Sequence, residues 1–417
     1  MTFMEAKKSH RGTMPVILLA IFLDLVSYGI LVPVVPQLFA NPASEYYLLS
    51  PGTPLSVGYI LLGFLIAGFP IFQFFSTPIL GELSDIYGRR KIMTIALLGS
   101  VGSFACFAYG VMTLNIYLIF LSRFVGGILG GNLSVAQAAI ADITKPEERT
   151  RNFGLIGAAY GVGFILGPVI GALLSNSNYS EWLNLSTPFW FAAGLSLLTA
   201  GLVYFFMAET NTSMKENNGI SWHKSISHVI TAYGMKKMRS ILATNFLFQA
   251  GLTFFATFFS VFLIAKFNMN QVGIGYYIGY VGIWVVITQA VLVRYITSKF
   301  SDINILRIFL FLGAAAVFSF FLPNTLAGLL IAGALFAVMN GVNMAALPGL
   351  VSRRTPANRQ GEMLGINASV QALAQAIPPI LSGFLAANIA AVAPVYISGG
   401  VIALAWIVFM LFVRGEA

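Results

Sequence analysis

Asp24 is the one acid in the apolar interior of this chain, halfway along Met14–Leu38. A carboxylate at such a position costs ~2.5–3.5 kcal/mol on insertion scales unless water, a partner or a proton offsets it. Taking up a proton removes that cost, so Asp24 is a candidate to bind and release protons. The other reading is a packing residue that hydrogen-bonds to a neighbouring helix. Arg123 lies in a second apolar stretch and likewise requires a partner or water. Uncharged amides recur in the apolar runs: Asn132, Gln137, Asn245, Gln249, Gln289, Asn340, Asn343, Gln371 and Gln375. Each can face a cavity or bond helix to helix. Hydrolytic and metal chemistry lack their parts. His10, His223 and His228 fall in polar segments, Cys106 is the only cysteine, and no paired carboxylates or Ser/His set occurs in the spans. No phosphate-binding G-x-x-x-x-G-K-S/T loop is present, which argues against ATP-driven work. No catalytic residue, metal or cofactor is expected.

The elements that carry these residues are membrane helices. Of 417 residues 58% are hydrophobic and 9% charged, against about 25% charged in a soluble domain. Apolar runs bounded by charge give twelve spans: 14–38, 57–80, 92–113, 115–141, 152–175, 187–207, 240–264, 271–296, 304–322, 326–347, 362–387 and 393–413. With these spans, 21 of the 23 Lys and Arg residues fall on one side, Lys266 falls on the other and Arg123 lies within span 4. The positive-inside rule then places both termini in the cytoplasm. It also makes the +9 net charge a topology signal and not a nucleic-acid footprint. The expected fold is an all-α membrane protein of twelve transmembrane helices in two pseudo-symmetric six-helix bundles, residues 1–207 and 240–417. A cytoplasmic linker, 208–239, joins them; in it Trp222, Ile226 and Val229–Ile230 suit a short helix on the membrane surface. The halves repeat: residues 145–171 align with 355–381 without gaps, and Ile156 matches Ile366 and Pro168 matches Pro378. Two six-helix repeats with a site between them is a transporter architecture.

Three motifs sit on this frame. Between spans 2 and 3 the chain reads Gly81-Glu-Leu-Ser-Asp85-Ile-Tyr-Gly88-Arg89-Arg90-Lys91, where glycine permits a tight turn and the Asp–Arg set can form charge-assisted hydrogen bonds. Span 4 carries Arg123-Phe-Val-Gly126-Gly127-Ile-Leu-Gly130-Gly131, whose glycines allow close helix approach. Span 5 carries Gly163-Phe-Ile-Leu-Gly167-Pro168-Val-Ile-Gly171, where Pro168 removes a helix hydrogen bond and favours a kink.

The first motif resembles the G-x-x-x-D-x-x-G-R-R/K signature of the major facilitator superfamily, with Ile86 where the family usually has a basic residue. The resemblance implies that Asp85 and Arg89, with Asp142 at the inner end of span 4, latch the halves in the outward-open state. It also implies that Arg123 takes part in proton coupling. The span-5 stretch resembles the G-x-x-x-G-P-x-x-G-G motif of the antiporter branch, with Ala172 in place of the last glycine. Asp24 followed by Pro33-Val-Val-Pro36-Gln-Leu38 resembles twelve-span drug/proton antiporters, tetracycline-efflux proteins above all. The tetracycline exporters use a membrane histidine in their second half, and this chain has none there.

The resulting expectation is a multi-pass protein of a bacterial inner membrane, acting as a monomer. It exports a small hydrophobic or amphipathic compound in exchange for protons, driven by the proton gradient. Asp24 and Arg123 carry the coupling. In this superfamily spans 1, 4, 7 and 10 line the cavity, so Asp24, Asn132, Asn245, Gln249, Asn340 and Asn343 are the expected substrate contacts. Export of an endogenous metabolite, such as a siderophore or lipid-like compound, is the alternative; a non-transporting membrane sensor is another.

Overall fold

A computed structural model describes residues 12–144, 149–211, 238–355 and 360–413, with five further residues between 227 and 235. The surface helix expected at Trp222, Ile226 and Val229 lies outside them. The described chain is all-α, and a helix stands at each of the twelve expected positions. Eleven are long and apolar enough to cross a bilayer: Thr13–Phe39, Leu55–Tyr87, Arg89–Met112, Ile116–Ile143, Thr187–Phe206, Arg239–Phe267, Gln271–Lys299, Asp302–Phe321, Leu326–Val351, Ser369–Asn388 and Ala393–Phe412. Span 5 is the helix Arg149–Leu174, whose apolar part is Gly161–Leu174.

Helices outrun hydropathy where a charged segment still suits a helix. Span 2 was expected to end at residue 80 and continues to Tyr87. The presumed 2–3 loop therefore shrinks to Gly88, whose φ of 95° is open to glycine and strained for any other residue. Gly81 lies inside the helix. Span 1 changes geometry at Ile30, between the helices Thr13–Gly29 and Leu31–Phe39. Pro33 explains the place, because it has no N–H to give the Gly29 carbonyl. Span 8 contains a π-helical turn, Thr288–Leu292, a feature common at functional sites and invisible to periodicity.

The chain packs as two compact units. One holds span 1 to Leu38, span 2 from Phe72 onward, and spans 3 to 6; the other holds the first part of span 2, to Ile71, with spans 7 to 12. The division expected at 207 and 240 follows the repeat; packing divides the chain through the middle of span 2. In the first unit span 1 packs on spans 5 and 6, and span 3 on spans 4 and 6. In the second, span 7 packs on spans 11 and 12, and span 9 on spans 10 and 12. The same neighbours thus recur six spans on.

Each unit has its own apolar core. Ile17, Met93, Ala139, Ile140, Val203 and Met207 belong to the first. The second is aromatic at its centre, with Phe255 stacked on Phe259 and Phe336 at centroid distances of 4.3 and 4.2 Å. Lys266, the basic residue assigned to the outer side, has a local reason to be there. Its Nζ donates to the Phe321 carbonyl at 2.9 Å and so pairs an acceptor at the end of span 9.

Candidate functional site

Asp24 and Asn132 meet inside the first unit. Asn132 Nδ2 donates to Asp24 Oδ2 at 3.0 Å. The second carboxylate oxygen, Oδ1, is enclosed and has no partner among the described residues. Both side chains border a small cavity, of about 20 Å³, whose remaining walls are Ile21, Leu25, Met93, Leu133 and Ala136. A carboxylate that keeps one hydrogen bond and faces apolar walls is poorly compensated as an anion; a proton or a cation on Oδ1 would satisfy it.

Asn132 is positioned by a change of helix geometry that sequence reading missed. Span 4 is interrupted at Gly130–Gly131, between the helices Ile116–Leu129 and Asn132–Ile143. There the ladder tightens to i, i+3 bonds, Gly130 N to Gly127 O and Ser134 N to Gly131 O. Backbone carbonyls need partners at membrane depth, and span 2 supplies them. Gln73 Nε2 donates to Gly130 O at 2.8 Å and Ser76 Oγ to Gly127 O at 3.0 Å. The glycine run therefore places Asn132 at the start of a new helix facing Asp24. The available signal was Gly-Gly followed directly by a helix-starting Asn.

The span-5 motif holds the other side of span 1. A methyl group built on Gly163 would lie 2.8 Å from Leu25 Cβ, one on Gly167 2.6 Å from Gly29 Cα, and one on Gly171 2.6 Å from Ile30 O. Pro168 closes the contact, its Cδ 3.0 Å from a methyl group on Gly29. The three glycines form a groove for the turn that bears Asp24.

Arg123 is buried but does not border the Asp24 cavity. It lies nine residues before Asn132, about 13 Å along the helix axis.

Where span 2 ends, span 3 begins and span 4 ends, Arg89 gathers two carboxylates and further partners. Arg89 Nη2 pairs with Asp85 Oδ1 at 2.5 Å and Nε with Asp142 Oδ2 at 3.0 Å, and Nη1 donates to Ser84 Oγ at 2.6 Å. Glu209, just past span 6, accepts the backbone N–H groups of Arg89 (2.8 Å) and Arg90 (3.1 Å) and so caps span 3. Thr210 Oγ1 donates to Asp142 Oδ2, and Asn211 Nδ2 to the Asp85 carbonyl. A methyl group on Gly88 would lie 2.5 Å from Glu209 Oε2. The motif glycine is thus required twice, for its φ and for the capping carboxylate. Arg90 is exposed and joins through its backbone alone. The second unit has an ion pair of its own, Asp302 at the start of span 9 with Arg353 at the end of span 10. Relative to Arg89 and Asp142 the charges are exchanged between the two helices. Neither Glu209 nor this pair was foreseen; an acid directly after span 6 was the only hint.

Of the expected amide contacts, Asn245 donates to Asn367 Oδ1 at 2.7 Å. Asn340 Nδ2 donates to the Gly313 and Phe336 carbonyls, and Asn343 Nδ2 to those of Phe309 and Met339. These three are buried and tie helices together, and the Oδ1 atoms of Asn340 and Asn343 are enclosed without a partner among the described residues. Gln249 is half-buried and its side chain has no partner among the described residues. No group of three or more potential metal ligands occurs among the described residues.

The model of the Major Facilitator Superfamily matches residues 17–379. The chain belongs to that superfamily. It is therefore a multi-span membrane protein that carries small molecules by secondary-active transport, and it is not an enzyme. The chain is 28% identical to the class H tetracycline resistance protein of Pasteurella multocida over 371 residues, 89% of this chain and 88% of that one. It is 27% identical to Multidrug resistance protein 2 of Bacillus subtilis (strain 168) over 392 residues, 92% and 91% of the two chains. Among solved structures it is similar in fold to the human organic anion transporter MFSD10 (TM-score 0.72, 22% identity, 96% and 99% covered). A D-xylose-proton symporter gives a TM-score of 0.77 at 17% identity, with 96% and 97% covered.

Proposed function

We propose that this protein exports a small amphipathic compound in exchange for protons, with Asp24 as the proton-carrying residue. The observation that carries the reading is the unpartnered Asp24 oxygen in an apolar cavity, opposite the one amide that holds its twin. With Asp24 deprotonated, the site accepts substrate from the cytoplasmic side. Protonation from outside neutralises the carboxylate, releases the substrate and permits return by alternating access. Each proton moved inward gains ~2.3 kcal/mol per 100 mV. The groove of Gly163, Gly167 and Gly171 keeps span 1 in place through the cycle, and the Asp85–Arg89–Asp142 set opens and closes the inner side. Arg123, buried on span 4, takes part in the coupling.

The names of the relatives support a drug-like substrate, and tetracycline is the first compound to try. Two six-helix bundles, both termini in the cytoplasm, a monomeric state and a bacterial inner membrane complete the reading. Inside-out membrane vesicles test direction and driving force together. Acidifying the lumen should drive the compound into it, and a protonophore should abolish the uptake. Accumulation that ignores the protonophore would overturn proton coupling.

A further inference from the structure

Spans 7 and 11 lie side by side in the second unit and run in the same direction. Near their beginnings Asn245 bonds to Asn367. Toward their other ends Tyr59 touches both, its ring facing Phe258 of span 7 (centroids 6.2 Å apart) and its carbonyl 2.7 Å from a methyl group built on Gly383 of span 11. From the first tie to the second is 13 residues on span 7 and 16 on span 11, so the two helices stay roughly in register.

One turn beyond the Asn245–Asn367 pair, each helix carries a glutamine. Gln249 is four residues after Asn245, and Gln371 is four residues after Asn367. Four residues are about 6 Å of rise and return the side chain close to the same face. Gln249 and Gln371 therefore stand at one level, and Gln375 follows a turn later. Gln249 and Gln371 are half-buried and Gln375 is exposed; none of their side chains has a partner among the described residues. The asparagines Asn245, Asn340 and Asn343 are buried and donate hydrogen bonds, and the Oδ1 atoms of Asn340 and Asn343 are enclosed without a partner among the described residues. The backbone of span 11 adds acceptors at this level. Pro378 and Pro379 have no N–H, so the carbonyls of Ala374 and Gln375 lose their helical donors. Unsatisfied amides and carbonyls at membrane depth are tolerated where they line a water-filled or ligand-filled space.

We propose that this strip, Gln249, Gln371 and Gln375 with the carbonyls of Ala374 and Gln375, binds the uncharged hydrogen-bonding part of the substrate. It suits hydroxyl and carboxamide groups, which both donate and accept. This rests on the transport reading and narrows it: the substrate carries several such groups and is not a bare lipophilic cation. It adds the glutamines of spans 7 and 11 to the substrate contacts expected in this unit.

Binding to the purified full chain in detergent tests this without any gradient. Two probes are used, tetracycline, rich in hydroxyl and carboxamide groups, and tetraphenylphosphonium, a cation with none. Gln249→Met and Gln371→Met keep side-chain volume and remove the hydrogen bonds. Each should weaken tetracycline about tenfold, the equivalent of one hydrogen bond, and leave tetraphenylphosphonium unchanged. Unchanged tetracycline binding, equal loss of both probes, or a wild type that does not bind tetracycline would overturn the proposal. In a Cys106→Ala background, Gln249→Cys and Gln371→Cys should react with a charged, membrane-impermeant thiol reagent and be protected by tetracycline. Folded protein that fails to react would place these positions against lipid and overturn it as well. Failure of proton coupling with the binding pattern intact would fault the exchange mechanism and leave the strip standing.

Discussion

Gly167 of span 5 rests directly against Gly29 of span 1, so close that a methyl group on Gly167 would fall 2.6 Å from the Gly29 Cα and 2.7 Å from the Val26 carbonyl. Both obstacles are backbone, so neither can swing aside. Gly167→Ala should force the helices apart at a cost of about 1–3 kcal/mol, lower the melting temperature of the detergent-solubilised protein and slow transport. Pro168→Ala should slow turnover or raise proton leak at little cost in stability. A Gly167→Ala protein with wild-type melting and transport would mean that span 1 is not seated in this groove.

Asn132 donates a hydrogen bond to the Asp24 side chain. Hydrogen bonds to charged groups contribute about 1.5–3 kcal/mol. Asn132→Leu should therefore reduce proton-driven transport roughly tenfold or more, and Asn132→Gln should restore part of it. Full activity in the leucine variant would show that the anion is stabilised by something other than this amide.

The capping role of Glu209 separates backbone from side-chain chemistry. Loss of a helix N-cap costs about 0.5–2 kcal/mol. Glu209→Ala should destabilise the protein within that range, and Glu209→Gln, which keeps an acceptor oxygen, should lose less. Gly88→Ala meets both a φ of 95° and the carboxylate and should cost about 1–3 kcal/mol. The double variant Gly88→Ala, Glu209→Ala should be less than additive, because the second change removes the first one's obstacle. Strict additivity in thermal melts would argue that the two residues do not touch.

The Arg89 and Arg353 ion pairs should differ in weight. Arg89 is buried and bonds two carboxylates and Ser84, whereas Arg353 is largely exposed. Arg89→Gln should cost about 1.5–3 kcal/mol and Arg353→Gln less than about 1 kcal/mol. Exchanging the charges, Asp302→Arg with Arg353→Asp, should recover whatever either single change loses. Transport assays and melts of the four proteins decide it.

The spans, the inner motif and Asp24 were legible because each rests on composition or local spacing. Twenty apolar residues suffice for a membrane helix, and a lone acid among them is conspicuous. What stayed hidden depends on what a side chain meets across space. Asn340 and Gln249 look alike in sequence, yet the side chain of one bonds the Gly313 carbonyl and that of the other has no partner among the described residues. The groove residues were visible as a motif; that they seat the Asp24 turn was not. Residues 81–87 read as a loop because charge marks the membrane boundary, while the helix itself continues to the first position that φ forbids it to pass. The close crossing of Gly63 with Gly383, which puts the first part of span 2 in the second unit, joins two glycines 320 residues apart with no motif around either.

The most direct test of the account is compound-triggered proton movement in proteoliposomes loaded with a pH-sensitive dye, comparing wild type with Asp24→Asn. With a proton gradient imposed and hydrophobic amines, tetracyclines or siderophores added in turn, the account predicts proton flux with at least one compound in the wild type. The folded Asn variant should show none. Equal compound-driven proton flux in both proteins would contradict the assignment of Asp24 as the proton carrier.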